Sequence, residues 1–377
     1  MRVIRCDGSP GAVDELREAL ELTLAGGPAF APIGPGDEPP DVETGPGQVV
    51  VPTSGSTGEP RHVVLPARAL QASAQACHAR LGGPGHWLLA LPAEHVAGLQ
   101  VLVRATLAGT EPEVLDLRGG FDPAGFAAAA RRLIRRATER NGGRCYTSLV
   151  PAQLVRLLDA EPAALAGFDA VLLGGAAVPT ELAERARESG ATVVATYGMS
   201  ETCGGCVYDG YPLDGVAVRL ATDGTIELTG RVLAAGYLGR PDDRAFSEGW
   251  FSTSDLGRWE VGGRLRVLGR ADDVIVTGGV NVAPAEVEAA LDALPEVSVA
   301  CVVGLPDPTW GQRVVAAVVP ADPSRPPEPD AVLAGARRRL PGSHAPKQVV
   351  LLDALPLRGV GKPDRRAVVE LLSRTTT

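Results

Sequence analysis

The stretch Thr53-Ser54-Gly55-Ser56-Thr57-Gly58-Glu59-Pro60-Arg61 gathers hydroxyls, unhindered backbone N–H groups and one cation. Glycine lets a backbone come close to a ligand and free amides supply aimed donors, so such loops wrap phosphate oxygens. It is not a Walker A loop, which needs Gly-Lys-Ser/Thr running straight into a helix. The same composition also suits a solvated Ser/Gly turn. Tyr197-Gly198-Met199-Ser200-Glu201-Thr202 ends an expected strand, where ligands of open α/β sheets sit. One glutamate beside hydroxyls suits Mg²⁺, which takes one or two protein carboxylates and shares substrate phosphates; an N-capping serine before a glutamate is the competing reading. Gly174-Gly175-Ala176-Ala177 ends another strand and leaves room for a flat ring against backbone. In Ser252-Thr253-Ser254-Asp255-Leu256-Gly257, placed before a hairpin, the Asp255 carboxylate either holds two ribose hydroxyls or caps a turn. Gly359-Val360-Gly361-Lys362-Pro363 sets one lysine on a glycine turn, which taken alone is a solvated surface group.

These residues need a frame. Val49–Val51 and Val63–Leu65 are β-branched runs on either side of the first loop, giving strand, loop, strand. Ala12–Leu24 has the period of an amphipathic helix, Gly26–Gly47 reads as irregular, and Pro66–Leu81 as a helix. Strands are then expected at Trp87–Leu91, Glu113–Leu117, Tyr146–Val150, Ala170–Leu173 and Thr192–Thr196. Between them fall helices at Val96–Leu107, Pro123–Glu139, Pro151–Leu158 and Pro179–Ser189. That alternation implies βαβ units and a largely parallel sheet. After Gly204 come short strands with Asp-Gly and Gly-Gly turns (Val216–Leu220, Thr225–Thr229, Arg258–Val261, Arg264–Leu268), the pattern of antiparallel hairpins. Beyond a boundary at Arg270–Asp273 lies a small α+β unit, with helices at Ala283–Leu294, Asp330–Leu340 and Asp364–Leu372 and strands at Val297–Val303, Arg313–Val319 and Gln348–Leu352.

At 377 residues the chain exceeds one ordinary core. A net charge of −9 with interspersed arginine lacks the basic stripe that nucleic acid needs. No apolar run approaches the roughly 18 residues of a membrane span, and Met1–Pro10 has no apolar signal core. A cytoplasmic protein is expected, without nucleic-acid partner or membrane span; a homo-oligomer stays open. Six scattered cysteines fit reduced thiols. Cys203 and Cys206 have CxxC spacing, but no second pair completes a zinc site.

Taken in order, these stretches resemble the adenylate-forming superfamily of acyl- and aryl-CoA ligases, luciferases and nonribosomal-synthetase adenylation domains, over about residues 48 to 370. The resemblance implies an α/β fold. A large N-terminal domain of layered αβ sheets with a β-rich subdomain (1–270) precedes a small mobile α+β lid (271–377). It also implies ATP, Mg²⁺ and coenzyme A as cofactor and co-substrates. Carried over, Thr53, Ser54, Gly55, Ser56, Thr57, Gly58 and Arg61 belong to the phosphate loop. Gly174, Gly175 and Ala176 match the adenine pocket, and Tyr197 with Gly198 the aromatic segment that stacks on adenine. Ser200 and Glu201 match a Thr-Glu pair whose glutamate binds Mg²⁺. Asp255 matches the ribose-binding aspartate, Arg270 the arginine near the ribose and Asp272 the hinge. Gly278 and Gly279 match the glycines beside the pantetheine channel, and Lys362 the lysine that bridges carboxylate and phosphate during adenylation. Two departures stand out. Arg61 replaces the usual lysine and brings a rigid fork. The segment before Thr53 is also much shorter than in most members, so a truncated first subdomain is expected.

Leu91-Pro92-Ala93-Glu94-His95-Val96-Ala97-Gly98-Leu99 resembles the family segment whose histidine borders the acyl pocket, and its nearest look is to the o-succinylbenzoate–CoA ligases of menaquinone biosynthesis. The short N-terminal region also resembles actinobacterial forms of those enzymes. That resemblance implies an aromatic dicarboxylate substrate, activated by ATP and passed to coenzyme A, with His95 in a catalytic place. The second carboxylate would need a cation or donors. Arg104 is a candidate, although on a helix it also reads as solvated or ion-paired. The alternatives are another aryl- or acyl-CoA ligase, or a stand-alone adenylation enzyme that loads a carrier-protein thiol; a non-catalytic relative that merely binds a nucleotide is disfavoured by Glu201, Asp255 and Lys362.

Overall fold

Val49, Val50, Val51, Val63 and Leu65 offer water nothing to bond, and each is wholly covered. In the computed structural model they build two antiparallel strands, Gln48–Thr53 and Arg61–Pro66, at the heart of a five-stranded sheet. The structure describes residues 1–53, 61–139, 142–358 and 362–375, with backbone alone at 358, 362 and 375. Arg2–Arg5 and Phe30–Ile33 add parallel strands on one side, and Gly236–Tyr237 an antiparallel one on the other. The irregular reading of Gly26–Gly47 is therefore corrected. Phe30-Ala31-Pro32-Ile33 is a fully buried strand, hidden in the sequence by its shortness and its proline. The helix Pro10–Leu24 starts where Ser9 Oγ accepts from the Ala12 N–H at 3.2 Å, and buries Val13, Leu16 and Leu20.

The expected parallel sheet is present. Its order is Tyr211–Pro212, Gly204–Tyr208, Val193–Met199, Ala170–Leu173, Arg144–Leu149, Gly85–Leu89, Glu113–Val114. The last five run parallel, and the first two fold back antiparallel. Helices Val96–Leu107, Pro123–Glu139, Pro151–Ala160 and Thr180–Glu188 are the crossovers, so this is an α/β architecture with mixed sheets. Trp87, Tyr146 and Tyr208 are its largest fully buried side chains.

By contacts the chain divides into two units, the first Met1–Val178, Glu184–Arg219 and Glu227–Thr253, the second Pro179–Ala183, Leu220–Ile226 and Ser254–Thr377. In the second, residues 255–260 pair antiparallel with Arg264–Arg270, with a register shift between Leu256 and Gly257. The segment Ser252–Gly257 does not precede a hairpin but lies inside the strand Trp250–Glu260. Serines and threonines along it, and the shift at Leu256/Gly257, mask the alternation. Further on, Val297–Asp307 and Gly311–Pro320 form a long hairpin, with Gln348–Leu351 parallel to the latter. Strand alternation splits this small α+β core. Val302, Val314, Ala316 and Val318 pack with Val287, Leu291, Val332 and Ala336 of helices Pro284–Asp292 and Pro329–Arg339. Cys301, Val303, Val315 and Ala317 pack with Val368 and Leu372 of the last helix, Arg365–Thr375.

Candidate active site

In the first unit the decisive arrangement is at Glu201. Its backbone oxygen accepts from the Ala234 N–H at 2.9 Å, and its Oε1 accepts from the Tyr237 hydroxyl at 2.8 Å. Gly236 and Tyr237 in turn pair with Val64 and Val63 in the strand that begins at Arg61. The Arg61 guanidinium lies over the Tyr237 ring, 5.2 Å from its centroid. Thr53 is the cross-strand partner of Arg61, and its hydroxyl donates to the Arg61 backbone oxygen at 3.2 Å. Burial, then the nearby Glu201 charge, pushes the Tyr237 phenol well above its ordinary value, while Arg61 pulls the other way. The hydroxyl therefore stays a donor to the carboxylate across the working pH range. Both ends of the loop and the acidic residue are thus tied to one tyrosine. Tyr237 was not among the expected site residues. Ser54, Gly55, Ser56, Thr57 and Gly58 lie outside the described residues.

Glycines set the strand ends beside it. A Cβ on Gly198 would stand 2.1 Å from the Gly204 carbonyl oxygen, and one on Gly174 would meet the Thr196 hydroxyl at 2.4 Å. Leu173 and Ala195 are paired in the parallel sheet, so Gly174–Ala176 leave one strand next to the neighbouring strand's last residues, half-buried Tyr197 among them. Gly175 has φ +83°, the left-handed region that glycine adopts without strain, and with Ala176 it is exposed. The N-cap alternative for Ser200 is corrected. The cap of the short turn Ser200–Thr202 is Met199, and its N–H donates to buried Thr202 Oγ1 at 3.0 Å.

His95 is exposed and precedes the helix Val96–Leu107 without a side-chain cap bond. Arg104, on that helix, is neither solvated nor ion-paired among the described residues. It is 3% exposed, lies over Trp87 at 5.1 Å and donates to the Tyr208 hydroxyl at 3.4 Å. The cause is the helix itself, whose residues from Gly98 to Ala105 are all buried. Cys203 and Cys206 are wholly buried, and desolvation raises both thiols, Cys206 to about 12. That is the reverse of the lowered pKa a redox pair needs.

The remaining residues belong to the second unit. Half-buried Asp255 is the cross-strand partner of Arg270, and Arg270 Nη2 donates to Asp272 Oδ2 at 3.2 Å. The Gly278 N–H donates to the Trp310 carbonyl at 2.9 Å, and a Cβ there would press to 2.7 Å of the Trp310 ring. Gly278 and Gly279 both have positive φ, +56° and +78°. Lys362 sits opposite Arg358 in a two-stranded ribbon, while Gly359–Gly361 lie outside the described residues.

Residues 12–234 match the AMP-binding enzyme family, and residues 286–362 match the AMP-binding enzyme C-terminal domain. This chain belongs to the AMP-binding enzyme family. It is 50% identical over 326 residues to the Mycobacterium tuberculosis protein named "Probable 2-succinylbenzoate–CoA ligase", a match covering 85% of this chain and 83% of that one. It is 34% identical to the medium/long-chain-fatty-acid–CoA ligase FadD8 of the same species, over 89% of this chain and 62% of the relative. Among solved structures, the o-succinylbenzoate CoA synthetase of Bacillus subtilis with its acyl-adenylate intermediate aligns with TM-score 0.75 at 26% identity, over 94% of this chain and 80% of that one. The same enzyme in complex with ATP and magnesium ion aligns with TM-score 0.73 at 25% identity, over 93% and 81% of the two chains. The AMP-binding enzyme described here is thus an adenylate-forming enzyme with a large N-terminal and a small C-terminal domain. Among its described residues no three His, Cys, Asp or Glu side chains gather as a metal cage. Glu201, oriented by Tyr237, is the kind of single hard oxygen donor that suits Mg²⁺ shared with phosphate.

Proposed function

We propose that this chain is an ATP-dependent ligase that converts 2-succinylbenzoate and coenzyme A to the thioester through an acyl-adenylate. The observation that carries the reading is the tie from Arg61 through Tyr237 to Glu201, in a chain half identical over most of its length to a protein named for that substrate. A carboxylate is a poor electrophile, and like charge opposes its approach to an α-phosphate. Thr53, Arg61 and the loop between them would grip the outer phosphates. Gly174–Ala176 and Tyr197 would receive the adenine, and Asp255 with Arg270 the ribose. Mg²⁺ held at Glu201 would neutralise phosphate charge. Lys362, carried by a lid of residues 271–377 that turns about Asp272, would place its ammonium where charge builds during attack. The carboxylate oxygen bonds to the α-phosphorus and pyrophosphate leaves. In the second step the coenzyme A sulfur bonds to the acyl carbon, AMP leaves, and the thiol proton passes to solvent. Gly278 and Gly279 would line the path of the pantetheine arm, and His95 the acyl pocket.

The test is pyrophosphate release across a panel of 2-succinylbenzoate, benzoate, ferulate and a medium-chain fatty acid, each with coenzyme A or a phosphopantetheinylated carrier. The expected result is a kcat/KM at least about tenfold higher for 2-succinylbenzoate, about 1.4 kcal/mol of discrimination, with thioester formed on coenzyme A. Preference for another acid, or for the carrier, overturns the substrate or the acceptor.

A further inference from the structure

Arg365 of the second unit is engaged by several partners at once. Its Nη1 and Nη2 grip both oxygens of Glu288, the latter at 2.9 Å. Nε donates to Asp273 Oδ2 at 3.2 Å, and Nη1 also reaches the Val302 carbonyl at 2.8 Å and Cys301 Sγ at 3.6 Å. Glu288 is itself fixed, accepting from the Val302 N–H at 2.8 Å. A planar guanidinium with five fixed donors suits such a multi-partner seat, and a lysine does not.

Docking of the last helix does not rest on this cluster alone, because Val368 and Leu372 also sit at 0% exposure in the core. Half-buried ion pairs are also weak sources of net stability, since desolvation offsets the attraction, and in some proteins their use is to fix register. What Arg365 holds in register is the segment just before it. Lys362 lies three residues upstream, and the intervening chain has little slack. Pro363 has a fixed φ and pairs with Leu357. The Asp364 N–H donates to the Pro356 carbonyl at 2.8 Å, and its Oδ1 caps the helix by accepting from the Ala367 N–H at 3.1 Å. At its other end the arginine grasps Asp273, the last residue of the turn Ala271–Asp273 that follows Arg270.

We propose that Arg365 is a positioning residue for Lys362, and that Asp273 is the partner through which the Ala271–Asp273 turn sets where the Lys362 backbone lies. The proposal rests on the reading that Lys362 serves the adenylation step. It separates two half-reactions that a general loss of structure would lower together.

The experiment uses the full chain with the acid selected by the panel above, 2-succinylbenzoate first, and compares Arg365→Lys, Asp273→Asn and Lys362→Ala. Asp273→Asn leaves the Glu288 pair and the helix core in place, so it reports even where Arg365→Lys folds poorly. Pyrophosphate release is expected to fall at least about tenfold in kcat for Arg365→Lys and Asp273→Asn, the scale of one charged hydrogen bond. The KM for ATP should stay within about twofold, and so should conversion of supplied 2-succinylbenzoyl-adenylate to thioester, since uniform binding is untouched. Both half-reactions falling together in Asp273→Asn would reduce the cluster to a structural role and overturn the proposal. So would unchanged adenylation in Asp273→Asn and Arg365→Lys alongside its loss in Lys362→Ala. Adenylation surviving in Lys362→Ala overturns the underlying reading of Lys362, and the proposal with it.

Discussion

Tyr237 shows how one residue can serve two neighbours by different means. Its ring faces the Arg61 guanidinium and its hydroxyl donates to Glu201, so one side chain engages a cation and an anion at once. Tyr237→Phe keeps the ring and the cation–π contact but removes the donor. A hydrogen bond to a charged group contributes about 1.5–3 kcal/mol, and Glu201 would then be free to leave its rotamer. Calorimetric titration with Mg²⁺ and ATP should show binding weakened about tenfold, with Arg61 still able to engage phosphate. Binding within twofold of the original would mean that the hydroxyl orients nothing. The sequence gives no sign of this residue. Gly236–Tyr237 is a two-residue strand with no periodicity, and its carboxylate partner lies 36 residues away.

At the scale of elements, the strand Val193–Met199 shows what could be read and what could not. Its apolar start and the glycines after it announce a buried strand end, and the alternation of strands and helices announces a parallel sheet. What remained hidden was pairing beyond the neighbours. Arg2–Arg5 is largely exposed, and its two apolar residues, Val3 and buried Ile4, are too short a run to announce a strand, yet it closes the edge of a sheet. The strand Trp250–Glu260 was read only from Arg258, because polar side chains and a register shift break its alternation. The expected site residues stand out by type, Glu201 and Asp255 among them, whereas Tyr237 and Arg365 matter through partners far along the chain. Gly198 is a case where an element depends on one missing atom. It faces Gly205 across the antiparallel pair, and an added Cβ would lie 2.1 Å from the Gly204 oxygen. Gly198→Ala should therefore part the two strands and cost about 1–3 kcal/mol, the range of overpacked cores. Urea unfolding would register it. An unchanged midpoint would show that the strands can separate freely at this position.

For the molecule as a whole, proton balance in the small unit sets a pH dependence opposite to that of ordinary carboxylates. Asp292 accepts from the Ala300 N–H at 3.0 Å on the side of the sheet that also carries Glu288. Burial raises its carboxyl from 3.8 to about 7; the Ala300 bond opposes that rise, and the charges of Glu288 and Glu181 add to it. A folded pKa above the unfolded one means that the folded state binds the extra proton between roughly pH 4 and 7, so stability falls as pH rises through that window. The penalty is absent below the unfolded value and complete above pH 7. It amounts to no more than about 4 kcal/mol, less by the share of the side chain that water reaches. Asp292→Asn keeps an oxygen for the Ala300 N–H and cannot ionise. Hydrogen exchange in the strands Val297–Asp307 and Gly311–Pro320 should therefore show the variant more protected than the parent at pH 8, with the gap closing by pH 5. Exposed carboxylates elsewhere titrate in both proteins and cancel in the comparison. A gap that stays constant from pH 5 to 8 would place the Asp292 carboxyl in water's reach and remove this pH dependence from the fold.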